Sequence, residues 1–350
     1  MKTQTYLFLL LIVMNVVSCQ TLDKGGVVET TIQEVKDTKI QQLFAGTHKA
    51  LCYSGFRSGQ HPDRGEGAVN PSDDEILEDL TLMSNQLGTS LIRMYDCGEN
   101  TESTLEMIKR NNLSIKVLLG VWLKAELSAH ETCAWLTNPI PEGMLAANKA
   151  TNLLEIARGI ALAKQYPEII AGVNVGNEAL VEWNDHKVDV DTIICYVKHI
   201  QGSIDQPVTV ADNYLWWAEQ GTGLAKVVDF VSIHVYPIWE GVSIDEAIAF
   251  TLQNIKQVQD SLPTSNIVIT EAGWATTASE FGDQASEANQ IKYYQELMTW
   301  AKLNDMTTFF FEAFDEDWKG NPTNMMGAEK HWGLYKVDRT PKQVILEIAE

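Results

Sequence analysis

The sequence predicts an α/β fold, a single (β/α)8 TIM barrel preceded by a signal peptide and a short tether. Three observations predict it. From about residue 49, eight short apolar runs alternate with helical patterns. Most of the runs are almost continuously apolar, as parallel strands buried on both faces require. No linker or low-complexity segment divides the series, so a chain of 350 residues reads as one large unit. An open, doubly wound sheet would use the same alternation, but no glycine-rich phosphate loop supports it.

The strand candidates are residues 50–54, 90–95, 115–120, 170–177, 208–212, 228–236, 267–270 and 308–314. Helix candidates lie between them at 73–87, 148–166, 190–202, 244–261 and 287–303, with a last one after Pro341. Ser72 before the first helix, with Glu75 three residues on, reads as a capping box. Pro167 is a natural stop for the second.

Ahead of the barrel, Lys2 supplies a positive start and Tyr6 to Val17 form an apolar run too short to span a membrane comfortably. Val16-Val17-Ser18-Cys19 resembles a bacterial lipobox. That resemblance implies cleavage before Cys19 and its lipidation, and Gln20 points to export beyond the inner membrane. The expected organisation is a lipoprotein signal peptide over 1–18, a flexible tether over 19–42 and a catalytic barrel over 43–350. The expected location is a bacterial cell-envelope membrane, with the outer membrane favoured. An ordinary signal peptide cut near Ser18 is the alternative. Cys52, Cys97, Cys133 and Cys195 match no metal spacing and read as buried thiols. Cys52 and Cys97 fall on neighbouring strand candidates, which leaves a disulfide open without predicting one.

The formal net charge is −21, from 26 basic and 47 acidic residues. Such a chain repels nucleic acid and anionic lipid. A neutral substrate such as a glycan suits it better. In a barrel of this kind chemistry sits at the C-terminal ends of the strands. Standing there are Tyr53, then Arg93, Tyr95 and Asp96, then Trp122, then Asn177 and Glu178, then Asp212. His234, Tyr236, Glu271, Trp274, Glu312, Asp315 and Glu316 complete the ring. Nine of the ten tryptophans fall in strand-to-helix segments, which suits indole platforms for the C–H faces of sugars.

Two carboxylates stand out. Asn177-Glu178 follows the fourth strand candidate, and Glu271-Ala272-Gly273-Trp274 follows the seventh. Glycoside hydrolysis needs one carboxyl to protonate the leaving oxygen and a second to attack the anomeric carbon or activate water. An acid that stays protonated needs an apolar site or a nearby negative charge, whereas an ionised nucleophile needs donors. Tyr236, His234 and Arg93 are the donor candidates.

At these residues the sequence resembles glycoside hydrolase family 17, in its microbial branch. The match runs through Ile92-Arg93-Met94-Tyr95-Asp96, Val175-Gly176-Asn177-Glu178, Ile233-His234-Val235-Tyr236-Pro237 and Thr270-Glu271-Ala272-Gly273-Trp274. It continues through residues 310–319 and Glu329-Lys330-His331-Trp332-Gly333-Leu334. The resemblance implies retaining, endo-acting cleavage of β-1,3-glucans, replaced in some members by glucanosyl transfer, with no metal or organic cofactor. It implies Glu178 as acid/base and Glu271 as nucleophile. It also implies that Glu316, Lys319 and Glu329 surround them. Tyr53, Arg93, Tyr95, Asp96, Asn177, His234, Tyr236, Trp274 and Glu312 complete the expected substrate-binding set. A β-glucan and, through lipidated Cys19, a membrane are the expected partners; nucleic acid is not. A glycan-binding lipoprotein without chemistry, or another specificity such as a β-1,4-glycanase, are the competing readings. Residues 122–147, with Trp135, Pro139 and Pro141, are expected to wall one end of the cleft.

Overall fold

The computed structural model describes residues 49–348. The expected signal peptide and the whole of the expected tether lie outside them. Eight parallel strands form a closed barrel in sequence order. They are β1 (Ala50–Cys52), β2 (Leu91–Arg93), β3 (Lys116–Val121), β4 (Ile170–Asn177), β5 (Val208–Asn213), β6 (Val231–Val235), β7 (Ile267–Ala272) and β8 (Thr308–Phe310). Closure is direct: Ala50 pairs with Leu91 on one side and with Phe309 on the other. Leu118, Val173, Val210, Ile233 and Ile269 are fully buried, which is why their strands read as apolar runs.

The helices are α1 (Asp73–Leu87), α2 (Glu99–Arg110), α3 (Glu142–Gln165), α4 (Val190–Gln201), α5 (Tyr214–Gln220), α6 (Thr222–Ala225), α7 (Ala247–Ser261), α8 (Glu287–Leu303) and α9 (Gln343–Ile348). The capping box of α1 is formed: Ser72 Oγ accepts from the Glu75 N–H, and the Glu75 carboxylate accepts from the Ser72 N–H. Such a cap is worth about 1 kcal/mol.

Several elements differ from the sequence reading, the short helices α5 and α6 among them, which follow β5 where no helix was expected. Helix α2 went unmarked because its buried face includes Asn100, Thr101 and Thr104, so the apolar period is weak. Helix α3 begins directly after Pro141, earlier than expected, because its first turns are largely exposed and carry little inward apolar signal. The eighth strand ends at Phe310 although residues 311–314 are buried. There the backbone leaves the ladder, with the Glu312 N–H turning to Trp332 O and the Ala313 N–H to Cys52 O.

The strand register shifts at the ends that matter for the site. Shifts lie between Asn174 and Asn177 of β4, between Ile233 and His234 of β6, and between Ile269 and Ala272 of β7. Irregularities of this kind re-aim side chains at the rim of a sheet. Gly176 has φ of +75°, which glycine adopts freely, and Glu178 has φ of +49°, which a side-chain-bearing residue seldom does. Gly273 is required by space: a Cβ there would lie 2.1 Å from Phe311 O.

Cys52, Cys97 and Cys133 are free and buried, so Cys52 and Cys97 are not joined.

Candidate active site

The ends of β2, β4, β6 and β7 bring seven of the expected residues into one hydrogen-bonded group. Glu271 ends up 5% exposed, among donors. Arg93 Nη1 donates to its Oε1, Tyr95 OH donates to the same oxygen at 2.9 Å, and Tyr236 OH donates to Oε2 at 2.6 Å. Burial pushes the Glu271 carboxyl up, but His234, Arg93 and the two tyrosine hydroxyls outweigh it and hold it below the ordinary glutamate value. The carboxyl is therefore an ionised group in a site that excludes water.

Glu178 lies across from it. His234 Nδ1 is 3.0 Å from Glu178 Oε1 and 3.4 Å from Glu271 Oε2. Arg93 Nη1 lies 3.2 Å from His234 Nε2. An arginine can only donate, so Nε2 accepts and Nδ1 carries the hydrogen that sits between the two carboxyl groups. Arg93 Nη2 also donates to Asn177 Oδ1 at 2.5 Å, fixing the amide beside Glu178. One oxygen of Glu178, one of Glu271 and a nitrogen of His234 all lie within 4.8 Å of one another. These atoms could surround a cation, but the proton on Nδ1 and the guanidinium on Glu271 already serve as their positive partners.

The unusual φ of Glu178 is held from both sides. Its N–H donates to Ala211 O at 2.9 Å, and Asn184 Nδ2 donates to its carbonyl at 3.0 Å. Beneath it, Asp212 is fully buried and pushed well above the usual aspartate range, by burial first and by Glu178 second. Asp212 Oδ2 accepts from the Leu180 N–H.

A second cluster follows β8. Lys319 Nζ is 2.6 Å from Glu312 Oε2 and 2.7 Å from Glu316 Oε2. It also sits over the Phe311 ring, 4.6 Å from the centroid. Burial would raise Glu316, yet Lys319 and the Ser54 hydroxyl hold it low. Burial drives Glu312 well above the ordinary value despite Lys319, and its Oε1 has no hydrogen-bond partner. Of the two carboxyls on Lys319, Glu316 is thus the one that holds the charge. Glu329 is also raised, by burial and, against Lys319, by Glu178 and Glu271. Charge thus links Glu329 to Lys319 and to the central pair, while Glu316 and Lys319 meet each other directly.

Three expected contacts are corrected. Tyr53 is buried, with its hydroxyl 3.4 Å from Asp79 and its ring on Phe314, so it packs behind the cleft. Asp96 Oδ1 accepts from the Gly98 N–H at 2.8 Å and is near the Thr101 hydroxyl, so it secures the start of α2. Trp274 is fully buried, with its indole N–H on Gln284 O, and is no sugar platform. The same holds for Trp217, which donates to Ser232 O inside the core, and for buried Trp332. The tryptophans that are substantially exposed are Trp135, Trp183 and Trp239. Ser54, Asn184 and His186 join the site without having been singled out. Only the place of Ser54, at the end of a strand candidate, could have signalled it.

The model of the BtgE/BtgC glycoside hydrolase domain matches residues 50–333. The chain belongs to this family. Among its relatives is a glucan 1,3-beta-glucosidase of Schizosaccharomyces pombe, 26% identical over 290 residues, covering 77% of this chain and 79% of that protein. A putative glucan endo-1,3-beta-glucosidase of Aspergillus niger is 29% identical over 299 residues, covering 78% of this chain. The chain spans only 40% of that longer relative. Among solved structures, an endo-laminarinase from a Formosa strain superposes with a TM-score of 0.72 at 26% identity, covering 88% of both chains. The family and the barrel expected from the sequence are therefore both present.

Proposed function

We propose that this protein is a retaining endo-β-1,3-glucanase acting on laminarin-type glucans, with Glu178 as acid/base and Glu271 as nucleophile. One observation carries the reading. One carboxylate oxygen of Glu178 and one of Glu271 lie within 4.8 Å of each other. Retaining enzymes hold their carboxyl groups about 5–5.5 Å apart, whereas inverting ones leave about 6.5–9.5 Å for a water. The names of the relatives support β-1,3-glucan as the substrate class.

In the first step the Glu178 carboxyl gives its proton to the glucosidic oxygen as the C1–O bond breaks. A Glu271 oxygen bonds to C1, forming a glucosyl ester. In the second step the Glu178 carboxylate takes a proton from water, the water oxygen bonds to C1 and the ester breaks. Arg93, Tyr95 and Tyr236 keep Glu271 ionised and oriented for attack. The buried Glu316 and the partly buried Lys319 offer an acceptor and a donor to sugar hydroxyls.

The test is a product time course on linear β-1,3-glucan, branched β-1,3/1,6-glucan and β-1,4-glucan, with anomers followed by proton NMR. The expected result is β-anomer first, from internal cleavage of the β-1,3 chain. Initial α-anomer would reject retention. Products longer than the substrate would assign glucanosyl transfer, in which a sugar hydroxyl replaces water.

The motif at Ser18-Cys19 supports a lipid anchor on Cys19, with residues 19–42 tethering the barrel to a bacterial cell-envelope membrane. Wild-type protein is then expected in the membrane fraction and labelled by palmitate. Cys19→Ala should lose the label, and a variant that kept it would refute the anchor.

A further inference from the structure

The segment after Glu178 folds back on the residue pair that carries the acid/base. His186 Nε2 lies 2.7 Å from Asn177 O, a carbonyl that can only accept, so this nitrogen bears a hydrogen. Its Nδ1 is 3.1 Å from Asp185 Oδ1. Its ring lies 4.7 Å from that of Trp122, at the end of β3. Asn184 binds the Glu178 carbonyl, and Val188 N–H returns to Ala179 O. A second segment is fastened to this one: Thr132 Oγ1 donates to Glu182 O, which brings Trp135 to the side of Asp185.

Trp135 is the tryptophan with the greatest exposure, at 61%, and Trp183 on the facing segment is 44% exposed. A side chain this apolar, left open but held in place, suits the C–H face of a pyranose. Its chain of contacts, from Trp135 through Asp185 and His186 to Asn177, ends at the residue before Glu178. On the proposed mechanism Glu178 protonates the departing sugar, so the segment joined to it borders the leaving-group side.

We infer that Trp135, with Trp183 beside it, forms a glucosyl-binding platform on the leaving-group side of the cleft, and that Asp185 and His186 position it relative to Glu178. This inference rests on the glucanase reading above. It makes residues 122–141 a wall with a defined task, holding the sugar that departs. Trp239, also exposed, is packed on Phe281 and Trp332 and so lies on the β6, β7 and β8 side of the mouth, away from this segment's attachment to Asn177.

The experiment compares two substrates. Linear β-1,3-glucan places sugars on the leaving-group side, whereas β-laminaribiosyl fluoride departs as fluoride and cannot reach the platform. In Trp135→Ala, the ratio of kcat/KM on the glucan to that on the fluoride is expected to fall about tenfold, a stacking contact being of that size. Trp135→Phe, which keeps a ring, should recover most of the ratio. His186→Gln should lower the same ratio, through KM more than kcat if it positions the platform. Matching unfolding midpoints for Trp135→Ala and wild type would show that the fold is intact. An unchanged ratio, or equal losses on both substrates, would overturn the platform while leaving the glucanase reading in place. Wild-type protein that cleaved neither substrate would overturn both.

Discussion

Replacing Glu271 with glutamine is expected to lower kcat on linear β-1,3-glucan by about 10⁴-fold or more, the scale on which losing a covalent nucleophile is felt. The amide has no charge with which to form the ester to C1. It still presents one oxygen to Arg93 and Tyr95, so the barrel should fold. Stability has a separate signature. Arg93 is fully buried and keeps its charge, and the variant gives it a neutral acceptor in place of a carboxylate. A cost of about 1–3 kcal/mol is expected, since a hydrogen bond survives. The sign with pH follows from the lowered pKa of Glu271. A carboxyl depressed in the folded state stabilises fully above the unfolded value, about 4.3, and that contribution is lost as pH falls through the folded value. Denaturation midpoints should therefore separate wild type and variant near neutral pH and converge in acid. A kcat loss below about 100-fold would remove Glu271 from the nucleophile's role.

The barrel was legible because its signal is redundant. A parallel strand buried on both faces leaves a continuous apolar run, and eight such runs at regular intervals admit few other folds. Where burial is satisfied by polar groups the signal fails, as in α2, whose Asn100, Thr101 and Thr104 face inward. The site was legible where a residue sits on a strand end, since pleating then fixes its direction: Arg93, Asn177, His234 and Glu271 all converge. Beyond the strand end the direction is set by tertiary contacts. Tyr53 turns to Asp79, and Asp96 turns to the start of α2. The tryptophans misled for a related reason. Trp216 and Trp217 lie on helix α5 and not in a strand-to-helix segment, and Trp217 and Trp274 find backbone carbonyls for their N–H groups and fill the space between barrel and helices. A long-range partner such as Lys319 for Glu312 or Ser54 for Glu316 depends on how the strand ends meet, which neither residue's neighbours in the chain specify.

Glu178→Ala should separate the two halves of the reaction. On β-1,3-glucan, kcat/KM is expected to fall by about 10²–10⁴-fold, the usual contribution of a general acid, because a sugar alkoxide leaves poorly without a proton. β-Laminaribiosyl fluoride needs little such help, so it should still form the ester on Glu271. Water then attacks slowly, having lost its base. Azide needs none. It is small enough to enter the space the carboxyl vacates and should speed turnover of the fluoride, giving a laminaribiosyl azide of β configuration. The backbone argues that the comparison is clean: alanine bears the same φ of +49° cost that glutamate does, and the bonds from Asn184 and to Ala211 use main-chain atoms only. His234 also keeps its second carboxyl partner, Glu271, at 3.4 Å. If azide accelerated neither turnover nor azide-product formation, Glu178 would lose its place as acid/base. An α-azide would place the attack on the wrong face and remove the covalent ester from the mechanism.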